Sequence, residues 1–384
     1  MKLKLLVCLC TMLLLSGCFG KNSPKETIEK EPSIRVCLTQ AINKESSIES
    51  TEDYKILNEK GTVLLEGKKL EPVKIAGKDG QILLNGKKYP TEKIEIKTQQ
   101  DALVHVNSIP YRGNLFCVMD NGRFLMVNIV PIENYVSSVI GSEMNLSWPE
   151  STLEAQAIIA RTYAYHEKAM QKKPYFDVYD STASQVYKGA AKENEKSQAI
   201  AQRTRGMLLL YQNRLFKTFF HSTCGGHTSN AKQIFDYHDI SPLAGVECPY
   251  CKSSPYFSWS FTIQTTELED FFNTLKLPLP FRGLSIEKMD KGKRVMSLLV
   301  FYGKDQNRSI KASELRNHLG ANKLRSTSFT MESAPQGVLF QGHGWGHGVG
   351  LCQFGAKTMG DQGHSSPQIL QFYYPCAQIY RLWK

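Results

Sequence analysis

From Ser33 to about residue 135, short β-prone runs alternate with turn signals, which commits this part of the chain to strands. The runs include "KDGQILLNGKKYP", "DALVHVN" and "GNLFCVMDNGRFLMVNIVP". In "MDNGRFLMV", Asn121-Gly122 separates two apolar runs, the strongest short hairpin signal, because a tight hairpin turn needs positive φ at both central residues. A helix is expected next. Ser147-Trp148-Pro149-Glu150 has the spacing of a capping box, with a proline tolerated in the first turn. Leu153, Ala157, Ala160 and Ala164 follow at intervals of four, three and four, giving one apolar and mostly small face. Glu143 is expected in a polar turn just ahead of this helix. Further on, the sequence predicts a helix end at Gly206, then a hairpin through Gln212-Asn213 that delivers His221 to a glycine-rich turn. Residues 255–330 read strand, helix, strand, helix. The expected fold class is α+β: a strand-dominated compact body with a few packed helices and a smaller inserted lobe.

The N-terminus points out of the cytoplasm. Lys2 and Lys4 precede "LLVCLCTMLLL", and a run of about eleven apolar residues is too short to span a bilayer. Small residues before Cys18 resemble the bacterial lipoprotein box, in which that cysteine is acylated. Residues 1–17 are then a lipoprotein signal peptide and 18–32 a polar tether. A β-rich region is expected over 33–100 and the main domain over 101–384. The expected product is an exported lipoprotein, held at a membrane in the periplasm or at the cell envelope by a multiply acylated Cys18. Loss of Lys2 and Lys4 takes the formal charge from +11 to +9, a cationic surface suited to anionic wall polymers or headgroups. A nucleic-acid partner is not expected: the compartment is wrong and the chain carries no such motif.

Four segments stand out in order: "GSEM" with "EAQAIIARTYAY", "DSTASQVYKG", "FFHSTCGGHT" and "GHGWGHGVGLCQFGA". With "ELRNHLGANKLRSTSF" between the last two, they resemble the stage II sporulation protein D family, which includes the amidase enhancers, over roughly residues 100–384. That resemblance implies a cell-wall protein, and some members are lytic transglycosylases of peptidoglycan glycan strands, with a preference for strands stripped of peptides. It also implies that Glu143 takes the place of the catalytic acid, and it brings in an amidase or divisome proteins as partners. A single carboxyl suffices for such chemistry. Hydrolysis by glycosidases generally needs two carboxylates. In a transglycosylase the C6 hydroxyl of the muramic sugar is the nucleophile, at the high effective concentration of an intramolecular group. One carboxyl of raised pKa can then serve as acid and afterwards as base.

Other residues offer supporting roles. Gln185 and Tyr187 have an amide and an aromatic face that suit glycans, or pack as ordinary core. His221 and Ser222 lie in a turn whose Gly225 and Gly226 let backbone N–H groups face a ligand. His221 either meets the sugar, orients Glu143 or satisfies nearby backbone. His343, Trp345 and His347 alternate, so an extended segment would place all three on one face as a sugar platform. Arg161 is expected in a structural salt bridge. Some family members bind zinc through cysteine and histidine near the "Q-x-Y-x-G" segment; here Tyr179, Ala183 and Ser184 stand in that region, so that site is not carried over. Instead Cys248 and Cys251 form Cys-x-x-Cys, a common half of a zinc site, which Cys224 with His227 or His221 would complete. A disulfide within the trio, or three unrelated buried thiols, are the alternatives. No cofactor is required for the glycan reaction, so any zinc would be structural. The competing function is a non-catalytic wall-binding protein that recruits or stimulates an amidase. A metal-dependent amidase or redox protein built on Cys248 and Cys251 ranks last.

Overall fold

The computed structural model describes residues 28–384 apart from 100, 101 and 279, so the segment expected as a signal peptide, Cys18 and most of the expected tether lie outside the described residues. The β-prone first third forms two sheets. One has seven strands, in the order Val178–Tyr179, Ser33–Cys37, Arg123–Pro131, Asn114–Asp120, Lys93–Thr98, Tyr54–Asn58, Val63–Gly67. The other has six, centred on Ser46–Ser50 and Leu70–Lys78. The hairpin at Asn121-Gly122 pairs Asp120 with Arg123, with φ of 49° and 77° at its two central residues. Lys93–Thr98 pairs with Asn114–Asp120, so strands from both sides of residue 100 share one sheet and one core.

Eight helices stand among the described residues: α1 (Ile132–Glu143), α2 (Glu150–Met170), α3 (Glu195–Arg203), α4 (Ala231–Phe235), α5 (Thr265–Thr274), α6 (Ala312–Leu319), α7 (Gln353–Asp361) and α8 (Ser366–Tyr373). The expected helix is α2, but it begins without the capping box. Pro149 is the N-cap and offers no side-chain bond, while Ser147 closes a turn by donating its N–H to Asn145 Oδ1. The small face of α2 (Leu153, Ala157, Ala160, Ala164) packs into the β core, as its spacing predicts. Its other side (Ala155, Ile158, Ile159) packs with α7 and α8 in a second core. α1 was not expected. Its Ile132, Tyr135, Val136, Val139 and Ile140 are all fully buried in the β core at helical spacing.

Residues 258–343 make the smaller lobe. Two three-stranded sheets (Ser258–Gln264, Gly337–His343, Phe329–Ala334 and Phe281–Met289, Val295–Tyr302, Gln306–Lys311) close with α5 and α6 over their own core of Phe271, Phe272, Leu298 and Phe340. The result is the expected mixed, strand-dominated fold. No described helix is long and apolar enough to cross a membrane.

Burial of α2 on two sides takes Arg161 fully out of solvent. Its guanidinium meets Glu133 at 2.6 Å and donates to the carbonyls of Ala201 and Met207. Glu133 Oε1 also accepts from Gly206 N–H and Trp383 Nε1. Arg161 is therefore structural, as expected. Removing one member of such a pair strands a buried charge, so Arg161→Met will lower stability by about 3–5 kcal/mol in a urea titration. The double variant Arg161→Met/Glu133→Gln, which keeps an acceptor for Gly206 and Trp383, will recover most of that. A single-variant loss below about 0.5 kcal/mol, the ordinary surface scale, would contradict this role.

Candidate active site

Glu143 is the last residue of α1 rather than part of a free turn. Its half-buried carboxyl accepts the N–H of Val186 at 2.7 Å. Burial raises the carboxyl above its ordinary value, and the Val186 bond, which favours the charged form, draws it part of the way back. The segment carrying Val186 is fitted closely to α1. Ser138 Oγ donates to the Gly189 carbonyl at 2.7 Å and accepts Lys188 N–H at 3.3 Å. A Cβ at Gly141 would stand 1.9 Å from the Lys192 carbonyl, so only glycine lets the backbones approach there.

A second contact holds the peptide of Glu143. Gln353, opening α7, donates its side-chain amide to the Glu143 carbonyl at 3.4 Å, one of the carbonyls that a helix end leaves without an internal partner. The start of α7 is fixed in turn by the parallel pairing of Phe220–His221 with Leu351–Cys352 and by Phe354 N–H on the Ser222 carbonyl at 3.1 Å. Thus the "FFHST" and "GLCQF" segments meet at the backbone of the acid.

Several expected contacts are corrected. Tyr187 is 1% exposed, stacked on Tyr135 at 5.3 Å, with its hydroxyl on Asn128. Gln185 is equally buried, its Oε1 accepting from Tyr135. Both side chains belong to the core and present no face to a ligand. His221 is also buried, with Nδ1 bonded to the Val349 carbonyl at 3.1 Å, so Val186 and not His221 orients the carboxyl. His221 and His347 stand with ring centroids 5.5 Å apart. Burial pushes both below the ordinary imidazole value, His347 to about 3, so both are neutral at physiological pH.

Nor do His343, Trp345 and His347 share a face. Gly344, Gly346, Gly348 and Gly350 have φ of 77°, 106°, 84° and 72°, so the backbone turns at every second residue instead of extending. His343 is exposed beside Phe257 and Ser258, while His347 turns toward Phe219 and Phe235. Trp345 meets Tyr256 edge-on at 4.6 Å, under the Arg325 guanidinium. That contact belongs to a feature the sequence reading missed. Trp148, Phe354, Tyr256 and Trp345 form a half-buried aromatic ridge with successive centroid distances of 5.0, 5.7 and 4.6 Å. It starts five residues after Glu143. Aromatics flanking each motif were the available signal.

The cysteine trio is joined by a fourth member. Cys224, Cys248, Cys251 and Cys352 are buried with all ligand atoms within 4.8 Å of one another, a set able to hold a metal ion. The fourth position expected of His227 or His221 belongs to Cys352. His227 Nδ1 instead faces its neighbour's carbonyl, that of Thr228. All seven described cysteines are free thiols; burial pushes Cys37 up to about 12, the thiol of an inert core residue.

Residues 120–211 match the family described as stage II sporulation protein, and 247–350 a domain of unknown function, DUF8618. An uncharacterized protein of Brachyspira hyodysenteriae is 32% identical over 271 residues, covering 70% of this chain and 72% of that protein. Stage II sporulation protein D of Bacillus subtilis is 28% identical over 273 residues, 66% of this chain and 75% of the relative. The amidase enhancer of the same organism is 27% identical over 288 residues, which span 62% of this chain and 39% of the enhancer. With the family match over Glu143 and Val186 and similarity along two thirds of its length, the chain belongs to the stage II sporulation protein D family.

Proposed function

We propose that the protein is an exported, lipid-anchored lytic transglycosylase of peptidoglycan glycan strands, with Glu143 as acid and base. One observation carries this reading: the Glu143 carboxyl is desolvated yet bonded to a single backbone N–H. Burial keeps it protonated long enough to donate, and the Val186 amide receives the carboxylate that remains. Glu143 gives its proton to the glycosidic oxygen as the bond from that oxygen to C1 of the muramic sugar breaks. The carboxylate then takes the proton of the sugar's C6 hydroxyl as O6 closes on C1. The proton returns to Glu143, water is not consumed, and a 1,6-anhydro end results. Trp148, Phe354, Tyr256 and Trp345 supply partly exposed rings of the kind that stack on sugars, and Arg325 a cation above them. Ser222, His343 and His347 line the turns beside that ridge, while Gln185, Tyr187 and His221 act from behind as support. The net positive charge favours an anionic wall.

The similarity to a protein named amidase enhancer favours a second reading, in which the protein binds strands and recruits or stimulates an amidase without cutting. Denuded glycan strands separate the two. The protein will release anhydromuramyl ends detectable by mass spectrometry, and Glu143→Gln will retain binding and release none. Binding without products from either protein would leave the adaptor reading.

The pH dependence has a definite sign. A carboxyl whose folded pKa is raised favours the protonated fold, a contribution present below its unfolded pKa and lost as pH rises through the folded one. Cleavage will therefore fall as pH rises through that raised value. At neutral pH Glu143→Gln will be at least as stable as the parent, because it removes a desolvated charge while keeping an acceptor for Val186. A less stable Gln variant at neutral pH would contradict the tuning.

Removal of the ridge gives another measurable outcome. Trp345→Ala will weaken strand binding at least about fivefold, the scale of one lost stacking contact of about 1 kcal/mol, with Glu143 chemistry on bound strands retained. Unchanged binding would remove the ridge from the substrate path.

A further inference from the structure

We propose that Cys224, Cys248, Cys251 and Cys352 form a four-thiolate zinc site that pins the start of α7, and through Gln353 the peptide of Glu143, to the rest of the fold. The geometry comes first. Zinc–sulfur bonds of about 2.3 Å in a tetrahedron place the sulfurs about 3.8 Å apart. Here the four sulfurs lie within 4.8 Å of one another, Cys224 and Cys251 at 3.4 Å. The ligands arrive from three places: the turn after Phe220–His221, the two ends of the Cys248–Cys251 turn, and the N-cap of α7.

Donors converge on these sulfurs, as they do around ligating thiolates. Cys224 N–H and Gly355 N–H point at Cys352 Sγ at 3.2 and 3.4 Å, and the Tyr373 hydroxyl lies 3.2 Å from Cys248 Sγ. Ordinary buried thiols need no such donors. An independent observation concerns charge. Arg294 is fully buried, its terminal nitrogens donate to the carbonyls of Cys224 and Gly346, and its Nε has no partner among the described residues. A buried cation is costly unless anions face it. Asp290 reaches Arg294 through the backbone N–H. One zinc ion with four thiolates carries a formal charge of −2, and Cys224, whose carbonyl the guanidinium already holds, is one of its ligands. Glycine at 348, with φ of 84°, leaves room for the guanidinium: a Cβ there would stand 2.2 Å from Arg294 Nε.

Binding is a ligand exchange without oxidation. Four thiols release their protons to solvent as four sulfur–zinc bonds form and zinc loses its waters. The consequence for the acid follows from chain continuity, since Cys352 immediately precedes Gln353 and Phe354, whose bonds hold Glu143 and Ser222. Gln353 is thus a positioning residue, and the site is structural. This inference stands whether or not the protein cuts glycan.

Zinc content of protein purified without chelator tests it. The expected value is about one zinc per chain, held until a mercurial blocks the cluster thiols. Cobalt substitution is expected to give the absorption of tetrahedral four-sulfur coordination. Cys352→Ser is expected to lose zinc or change that spectrum, whereas Cys376→Ser, at an exposed thiol outside the cluster, leaves both unchanged. If Cys352→Ser fails to fold, peptide mapping of the parent decides: all four cysteines alkylated as thiols after chelation supports the site. A disulfide among the four in the parent, absence of zinc from reduced and zinc-reconstituted protein, or an unchanged cobalt spectrum in Cys352→Ser would each overturn it.

Discussion

The buried pair of Glu133 and Arg161 constrains everything around it. α2 is covered on one side by the β core and on the other by α7 and α8, so a guanidinium projecting from it has no route to water. Only a carboxylate brought to it can make that burial tolerable. Glu133 sits in the first turn of α1, where it also accepts the N–H groups of Gly206 and Trp383. The pair thus sets how α1 lies along α2, and a rigid helix carries that setting to its other end, where Glu143 is the final residue. Burial in place of the pair by apolar residues would be at least as stable in principle. Its value here is positional.

Local patterns were legible in the sequence and spatial convergence was not. The Asn121-Gly122 hairpin, the turn at Gln212-Asn213 with φ of 50° and 59°, and the small face of α2 all rest on neighbours in sequence, and all appear where the residues predict. In the smaller lobe the expected strand, helix, strand and helix appear as Ser258–Gln264, α5, Val295–Tyr302 and α6, but two unexpected strands, Phe281–Met289 and Gln306–Lys311, flank Val295–Tyr302. α1 was legible but masked. Its apolar residues recur with helical spacing, yet Val136, Val139 and Ile140 are β-branched and continue directly from the Arg123–Pro131 strand. Tertiary packing overrode that propensity. The inward turn of Tyr187, the Val186 amide at Glu143 and the joining of Cys352 to the other thiols depend on approaches between segments far apart in the chain. No local periodicity encodes them. The glycine-rich "GHGWGHGVG" failed for a different reason: alternation implies a common face only in extended backbone, and four positive φ values abolish it.

The site separates into parts with different physical tasks. A desolvated acid is held by one amide, and its peptide is held by Gln353. Two neutral histidines, His221 buried and His347 half-buried, stand together at the Phe220–His221 and Leu351–Cys352 pairing. Partly exposed rings run outward from Trp148 to Trp345. Rigid elements supply the first three parts, while the ridge draws its members from four separate segments. The acid is therefore set by packed backbone, while the rings of the ridge stand on three irregular segments and the first turn of α7.

The position of the acid at the end of α1 carries its own argument. The C-terminus of a helix presents unpaired carbonyls and a partial negative charge, which disfavour a carboxylate by about 0.3–1 kcal/mol. Glutamate is ordinarily favoured at the opposite end. Glu143 therefore meets two effects of the same sign, desolvation and the helix end, both of which favour the neutral acid. Against them stands one hydrogen bond from Val186. A carboxyl needed only for folding would gain from the reverse arrangement, at a helix start with several amides around it. The placement costs stability and favours the protonated form, the direction in which the single-acid mechanism proposed above needs its carboxyl tuned.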